Sequence, residues 1–317
     1  SYSSIQFSEC IRDVGDIQLS FTDNEVYKNI KVTEDVLVVG NNAYLAENKH
    51  KTDSKDLRKY EITGRHITSV LSWRCVKGFE VPVGETYEDA CIRLIQGNFI
   101  SPTDKKRTIP NFTFKRLGLS QKNTVKRIYE ANDCLSILKF ISKLGGFGFR
   151  LEYDIQGKKL VFCCVPVSDR SSTVIFGDKF NNISETDIYE ETSDYINVAY
   201  LYTEQTETEA ESYTAYGETE SEGLLRREYV EKGSSVEDLL EGLKEKSKTT
   251  GAEFVILNSE QYQYNKDYFL GDTVLLTDTD SGLALAKPIE KVTHFYEKTY
   301  EMEITYGDAI PTIFTKK

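Results

Sequence analysis

The chain is poor in the residues on which most recognisable chemistry is built. Its 317 residues include three histidines, one methionine, one tryptophan and six prolines. His50, His66 and His294 stand far apart, with no HExxH and no third ligand at metal spacing. Ligating histidines come with partner ligands, so each reads as a structural or surface residue. There is no Gly-x-Ser-x-Gly turn, which removes the serine-hydrolase signature. No cysteine lies near a histidine in a nucleophile–base pattern. Gly145-Gly146-Phe147-Gly148 lacks the Lys and Ser/Thr that must follow the glycines of a phosphate loop. Asp278-Thr279-Asp280-Ser281-Gly282 starts like a calcium loop, but the distal Glu is missing and a type I hairpin turn is the better reading. Carboxylate pairs are plentiful in so acidic a chain and identify no glycosidase without a cleft. The sequence thus offers no catalytic, cofactor-binding or metal-binding residue.

Cysteine is sparse and unpaired in pattern. Cys10, Cys75, Cys91, Cys134, Cys163 and Cys164 show no CxxC spacing and lie mostly in apolar stretches. They read as buried free thiols made in a reducing cytoplasm. No signal peptide and no run long enough to span a membrane is expected. The chain begins at Ser1 rather than Met, as after removal of a short leader or tag.

What is abundant is acid and aromatic. Fifty-one Asp and Glu against 39 Lys and Arg give a formal charge of -12. That disfavours DNA binding, which needs phosphates neutralised by Lys and Arg. It fits a self-repelling soluble surface, or a wall that DNA slides past. Twenty Tyr and 16 Phe suit half-buried strand surfaces. The negative mean hydropathy describes a soluble protein, and the length allows two or three domains.

Along the chain, residues 3–10 and 16–21 read as strands around Asp13-Val14-Gly15. Residues 31–39 form an apolar run ended by Gly40-Asn41-Asn42, and 44–47 and 59–63 flank a polar tip at 48–55. Short strands at this spacing suggest a barrel or sandwich. A first helix is announced by Thr86-Tyr87-Glu88-Asp89, a partial capping box, and carries Ala90, Ile92, Leu94 and Ile95 to a stop at Gly97-Asn98. A second starts near Asn132-Asp133 and ends at Gly145-Gly146, with apolar residues all round. A third, residues 234–248, opens on Ser234-Ser235-Val236-Glu237 and has one apolar stripe of Leu239, Leu240 and Leu243. Phe147, Phe149, Leu151 and Tyr153 alternate with polar residues, and 159–165 returns as an apolar strand. Residues 273–277, 283–289 and 291–295 read as a meander. Ser168-Asp169-Arg170-Ser171 reads as a turn, with Asp169 and Arg170 in hydrogen bonds or an ion pair.

Two charge runs oppose each other. Residues 203–222 carry seven Glu and no Lys or Arg. Pairing of 195–202 with 224–231 would make them the tip of a long hairpin. Residues 105–129 hold eight Lys and Arg and no acid, a pattern that suits an interface between copies.

Several short elements then recur in a fixed order. They are residues 64–74 (GRHITSVLSWR), 94–100 (LIQGNFI), 107–111 (RTIPN), Ser168-Asp169-Arg170-Ser171, Phe176, Asn197, Arg226-Arg227-Glu228, 268–274 (YFLGDTV) and Tyr306-Gly307-Asp308. Their order over nearly the whole chain resembles the siphophage and prophage tail-tip hub family, which is itself similar to the trimeric hub of contractile-phage baseplates. The resemblance implies a mainly β (α+β) fold: two tail-tube-like β-barrel domains with an intervening α/β portion and a few helices. On this chain the first barrel would be 1–73, the middle portion 74–179, and the second barrel 180–317, with an acidic hairpin at 203–222 and the helix at 234–248.

The family reading makes this a structural protein that closes the tail tube, attaches distal tail components and gates DNA ejection. Its implied partners are two further copies in a homotrimer, the distal tail protein, the tube or tape-measure protein, and receptor-binding proteins. It implies no cofactor and no specific nucleic-acid binding. The chain would be assembled in the bacterial cytoplasm and carried at the tail tip of the virion. Gly64 and Gly271 would allow tight backbone positions. Arg65, Arg74, Arg107, Arg170 and Arg227 would be ion-pair or interface anchors, with Asp169, Glu228 and Asp272 as partners. The chain stops soon after the second barrel, so receptor-binding or wall-degrading activity is expected on another chain or on a part outside this sequence. Two alternatives stand beside this: a carbohydrate-binding tail module using tyrosines such as Tyr262 and Tyr264, and a cell-wall hydrolase.

Overall fold

The computed structural model describes residues 2–32, 34–53, 58–124, 126–204, 210–232, 236–246, 248–256 and 261–306. Residues 1–186 with 253–309 form one compact unit, and 187–252 form a second. The fold is mostly β, with four short α-helices among the described residues.

The first unit is organised by one sheet that joins the two ends of the chain. Its strand order is Ile183–Glu191, Thr249–Ile256, Tyr300–Tyr306, Leu283–Tyr296, Tyr2–Cys10, Asp16–Phe21, Arg58–His66, Asn42–Asp53 and Val36–Val39. Thr273–Asp278 pairs with the early part of Leu283–Tyr296, and Ile175–Gly177 pairs in parallel with Thr273–Asp278. The first strand sits in the middle: Phe7 is opposite Ile17 on one side and His294 on the other. Successive side chains of a strand point to opposite faces. Phe7, Ile17, Ile62, Tyr44, Val292 and Ile304 are thereby buried on one face. The hairpin turn at Asp13–Gly15 is as the sequence suggests. Two expectations change. Residues 283–295 are one strand rather than two, with the pairing register shifting between Ile289 and Lys291. Of the 31–39 run only Val36–Val39 is a strand. It is preceded by helix α1, Asn24–Asn29, whose N-cap Asp23 accepts from the amides of Glu25 and Val26.

Gly64 and Gly271 mark two places where the backbone must approach closely. Gly64 faces the β-bulge between Ala46 and Asn48, and a Cβ there would stand 1.9 Å from the Leu45 carbonyl oxygen. Gly271 has φ +94, and its Cβ would meet Ile11 Cδ1 at 2.6 Å.

Helices α2, Tyr87–Ile95, and α3, Cys134–Leu144, form beside a small sheet in the same unit. Thr86 caps α2 by accepting from the Asp89 amide at 3.0 Å, while its hydroxyl donates to Asp89 Oδ2 at 2.7 Å. Asp133 caps α3 through the Ser136 amide at 3.0 Å, and the helix ends at Gly145. The expected hairpin is present as Gly148–Asp154 against Lys159–Val165, and Phe112–Lys115 adds to it in parallel. Leu94, Ile95, Phe99, Leu138, Ile141, Phe149 and Phe162 are buried between these elements. Each such side chain contributes about 1.5–3 kcal/mol.

The second unit departs most from the sequence reading. Val198–Thr203 does turn back, but on Ser212–Gly217, which lies inside the acidic run. Glu228–Lys232 then pairs with Val198–Thr203 in parallel, not as the returning arm of a hairpin. The strand was hidden because Ser212–Gly217 carries no period-two pattern: Tyr213 and Tyr216 stand three residues apart, and Glu211 and Glu218 flank it. Residues 205–209 of the acidic tip lie outside the described residues. Helix α4, Val236–Glu245, covers one face of this sheet, burying Leu239 and Leu243 against Ala199. The capping serines, Ser234 and Ser235, also fall outside the described residues.

Candidate functional site

One corner of the first unit gathers four of the residues singled out from the sequence. Arg170 Nε donates to Asp272 Oδ2 at 2.6 Å. The same carboxylate accepts from the amides of Phe269 at 3.0 Å and Ser168 at 3.1 Å. The guanidinium also lies 5.5 Å from the Phe269 ring. Gly271 supplies the turn that brings Asp272 inward. Asp169 faces away and closes its own turn, accepting from the Ser171 amide and hydroxyl at 2.9 and 2.7 Å. These two hydrogen bonds hold its carboxyl below the usual carboxylate range. This is a structural clamp: the Asp272 carboxylate accepts from three donors of its own chain.

The remaining predicted residues are dispersed. Arg65 grips Glu47 with two hydrogen bonds of 2.8 Å, an exposed bidentate pair. Arg74 donates to the Arg107 carbonyl at 3.3 and 3.2 Å. Arg107 in turn donates to the Cys75 carbonyl and to Asn98 Oδ1, both at 2.9 Å. Together they staple residues 74–76 to the 105–107 turn. In the second unit the ion-pair partner of Glu228 is Arg226 rather than Arg227. Arg227 donates to the Thr192 carbonyl and sits 5.7 Å from the Tyr195 ring. The organiser there is Asn197, which donates to the Leu225 carbonyl at 2.9 Å and Ser221 Oγ at 3.0 Å, and accepts from the Arg227 amide at 2.9 Å.

A cleft of about 1580 Å³ opens in the first unit. At its base, His294 Nε2 is 3.0 Å from Glu9 Oε1 and His294 Nδ1 is 2.9 Å from the Tyr300 hydroxyl. Phe7 stacks on His294 at 4.6 Å. Burial alone would raise the Glu9 carboxyl. The hydrogen bond and charge of His294, with Asn42 and Arg150, outweigh it and hold the group below its ordinary value. Burial pushes the Tyr300 phenol up to about 12, aided by Tyr296 and Glu9. Nearby, burial lowers His66 to about 4, and its ring Nδ1 accepts from the Thr68 amide at 3.3 Å. The sequence placed Glu9 and His294 in strands. It carried no sign that they meet, because the contact spans 285 residues.

Sequence reasoning also missed Glu88. Its side chain is buried and accepts three backbone N–H groups, from Leu117 at 2.6 Å, Gly118 at 2.9 Å and Leu119 at 2.8 Å. The available signal was a charged residue inside the otherwise apolar face of α2.

All six cysteines are free; four are buried, Cys10 is half-buried and Cys75 exposed. Burial raises the thiols of Cys10, Cys163 and Cys164 to about 12 each, which keeps them protonated and poorly nucleophilic at neutral pH. No group of three or more His, Cys, Asp or Glu is arranged to hold a metal among the described residues. No described helix is long and apolar enough to cross a membrane.

A mostly β chain closed by buried polar clamps, with strands from both ends in one sheet, has the fold of a phage tail protein. The tail protein from Neisseria meningitidis MC58 superposes with a TM-score of 0.59 at 14% identity, covering 97% of this chain and 92% of that one. The prophage MuSo2 43 kDa tail protein from Shewanella oneidensis gives 0.58 at 10% identity, over 97% and 94%. Prophage tail protein gp18 from Listeria monocytogenes EGD-e gives 0.52 at 13% identity, over 96% and 88%. The chain belongs to the Siphovirus ReqiPepy6 Gp37-like protein family, whose model matches residues 1–308. No curated protein matches it. Its fold is that of phage tail proteins.

Proposed function

We propose that this chain is the hub of a siphophage tail tip and acts without catalysis. Three copies close into a ring at the end of the tail tube, hold the distal tail components and gate DNA ejection. Heterologous contacts that close by rotation are the physical route to such a ring. The observation that carries the reading is the siphovirus family match across residues 1–308, with the fold of a phage tail protein covering 97% of the chain.

In this reading 1–73 and 180–317 supply two tube-like barrels around the 74–179 portion. The partners are the distal tail protein, the tube or tape-measure protein and receptor-binding proteins. The chain resides at the virion tail tip after assembly in the host cytoplasm. Exposed Arg65, the Arg74–Arg107 staple and Arg227 are the ring anchors. The net charge of -12 supports a lumen wall that repels DNA rather than binding it.

Gold-labelled antibody against this chain, applied to phage or induced-prophage particles, tests the role. Label at the distal tail tip is expected; intact particles without label overturn it. A zymogram against host peptidoglycan is expected to show no clearing. Arg107→Ala with unchanged folding and unchanged ring assembly removes that residue from the interface.

A further inference from the structure

We infer that the cleft in the first unit is a binding site for a neutral oligosaccharide. The reading is independent of the hub role, and three features of the cleft carry it.

The first is a wall of tyrosine. Tyr300 is 38% exposed and is backed by Tyr296 at 4.8 Å and His294 at 6.1 Å between ring centroids. Tyr264, half-buried, lies with its ring centroid 5.8 Å from that of His294. Rings held this way by their neighbours pay little conformational entropy on stacking against the apolar face of a sugar. The hydrogen bond between His294 Nδ1 and the Tyr300 hydroxyl fixes the most exposed ring further.

The second is the rim. Asn41, Gln156 and Asn265 come from three separate loops and line the cleft with exposed side-chain amides. Each amide offers donors and an acceptor together, which matches hydroxyl groups that also donate and accept.

The third is charge. Glu9, Glu152, Asp154, Glu185, Glu301 and Glu303 line the cleft against one arginine, Arg150, which is already paired with Glu152 through a 2.9 Å hydrogen bond. That balance opposes phosphate-rich polymers and nucleic acid. The mixture of amides, carboxylates and rings equally opposes a purely apolar ligand. A neutral glycan satisfies all three features.

The test is isothermal titration of the purified chain with a panel of neutral tetrasaccharides built from hexoses, pentoses and N-acetylhexosamines. A lysine-rich peptide of similar length serves as the competing probe. Saturable binding of at least one tetrasaccharide is expected, weakened roughly tenfold by Tyr300→Ala, the loss of one stacked ring, and more mildly by Gln156→Ala. Circular dichroism melts of both variants confirm that they fold. The proposal is overturned if no tetrasaccharide binds, or if binding is indifferent to both substitutions. Binding of the peptide alone also overturns it and assigns the cleft to a basic protein segment. Glycan binding without tail-tip label would remove the hub and leave this site standing; label without glycan binding would do the reverse.

Discussion

Arg170 and Asp272 meet through a 2.6 Å hydrogen bond although 102 residues separate them, and Asp272 is 3% exposed. The carboxylate also holds the amides of Phe269 and Ser168. Removing it leaves a cation and two amides without their acceptor. Asp272→Ala is therefore expected to destabilise the first unit by about 1.5–3 kcal/mol, the range for losing hydrogen bonds to a buried charged group. Arg170→Ala should cost less, because the arginine is partly exposed and the two amides stay satisfied. Urea unfolding of the two variants measures the difference. Equal effects would mean that the carboxylate's amide contacts contribute nothing.

This pair was legible in the sequence as residue types and not as a contact. Ser168–Ser171 read as a turn and Gly271 as a tight backbone position beside Asp272; their meeting required the parallel ladder of Ile175–Gly177 with Thr273–Asp278. Helices α2 and α3 were legible almost to the residue, because caps and apolar spacing are local signals. The second unit was not. A parallel partner such as Glu228–Lys232 leaves no local mark, and Ser212–Gly217 carries no period-two pattern. The cleft was illegible for the same reason as Glu9 with His294: its lining comes from strands at both ends of the chain.

Glu88 is expected to be as structural as Asp272. Its two oxygens take three amides from residues 117–119, a nest of N–H groups around one buried anion. Glu88→Gln replaces one acceptor oxygen with a donor that faces N–H. A loss of about 2 kcal/mol is expected, in the range for buried hydrogen bonds to charged groups. The amides of Leu117, Gly118 and Leu119 should exchange with deuterium faster than in the wild type. Unchanged exchange at those three amides would show that the loop does not depend on the carboxylate.

Gly64→Ala and Gly271→Ala are expected to differ in kind. At Gly64 the new methyl meets the Leu45 carbonyl oxygen at 1.9 Å, so two paired strands must separate. At Gly271 the neighbours are the side chains of Ile11 and Val167, which can yield, but φ is +94. Alanine strains that backbone, at a cost above about 1 kcal/mol. Gly64→Ala should be the more damaging, in the upper part of the roughly 1–3 kcal/mol range for overpacking. Thermal melts rank them, and a milder Gly64→Ala would mean that the bulge at Ala46 absorbs the methyl.

His66 makes stability fall with acid in a window of its own. Its ring is 8% exposed, and burial, reinforced by Arg150 and opposed by Glu9, lowers it from 6.5 to about 4. Between those values the unfolded chain binds a proton that the folded chain refuses. Stability from this group is therefore complete above about pH 6.5 and lost progressively as pH falls towards 4. At 1.36 kcal/mol per pH unit the loss is about 2 kcal/mol between pH 6.5 and 5. Glu9 acts lower, since a carboxyl held below its ordinary 4.5 loses its contribution only in more acidic solution. Urea unfolding at pH 7 and pH 5 separates the two groups. Wild type should lose about 2 kcal/mol more than His66→Gln across that interval. Parallel losses in both proteins would show that His66 titrates in the folded state as it does in the unfolded chain.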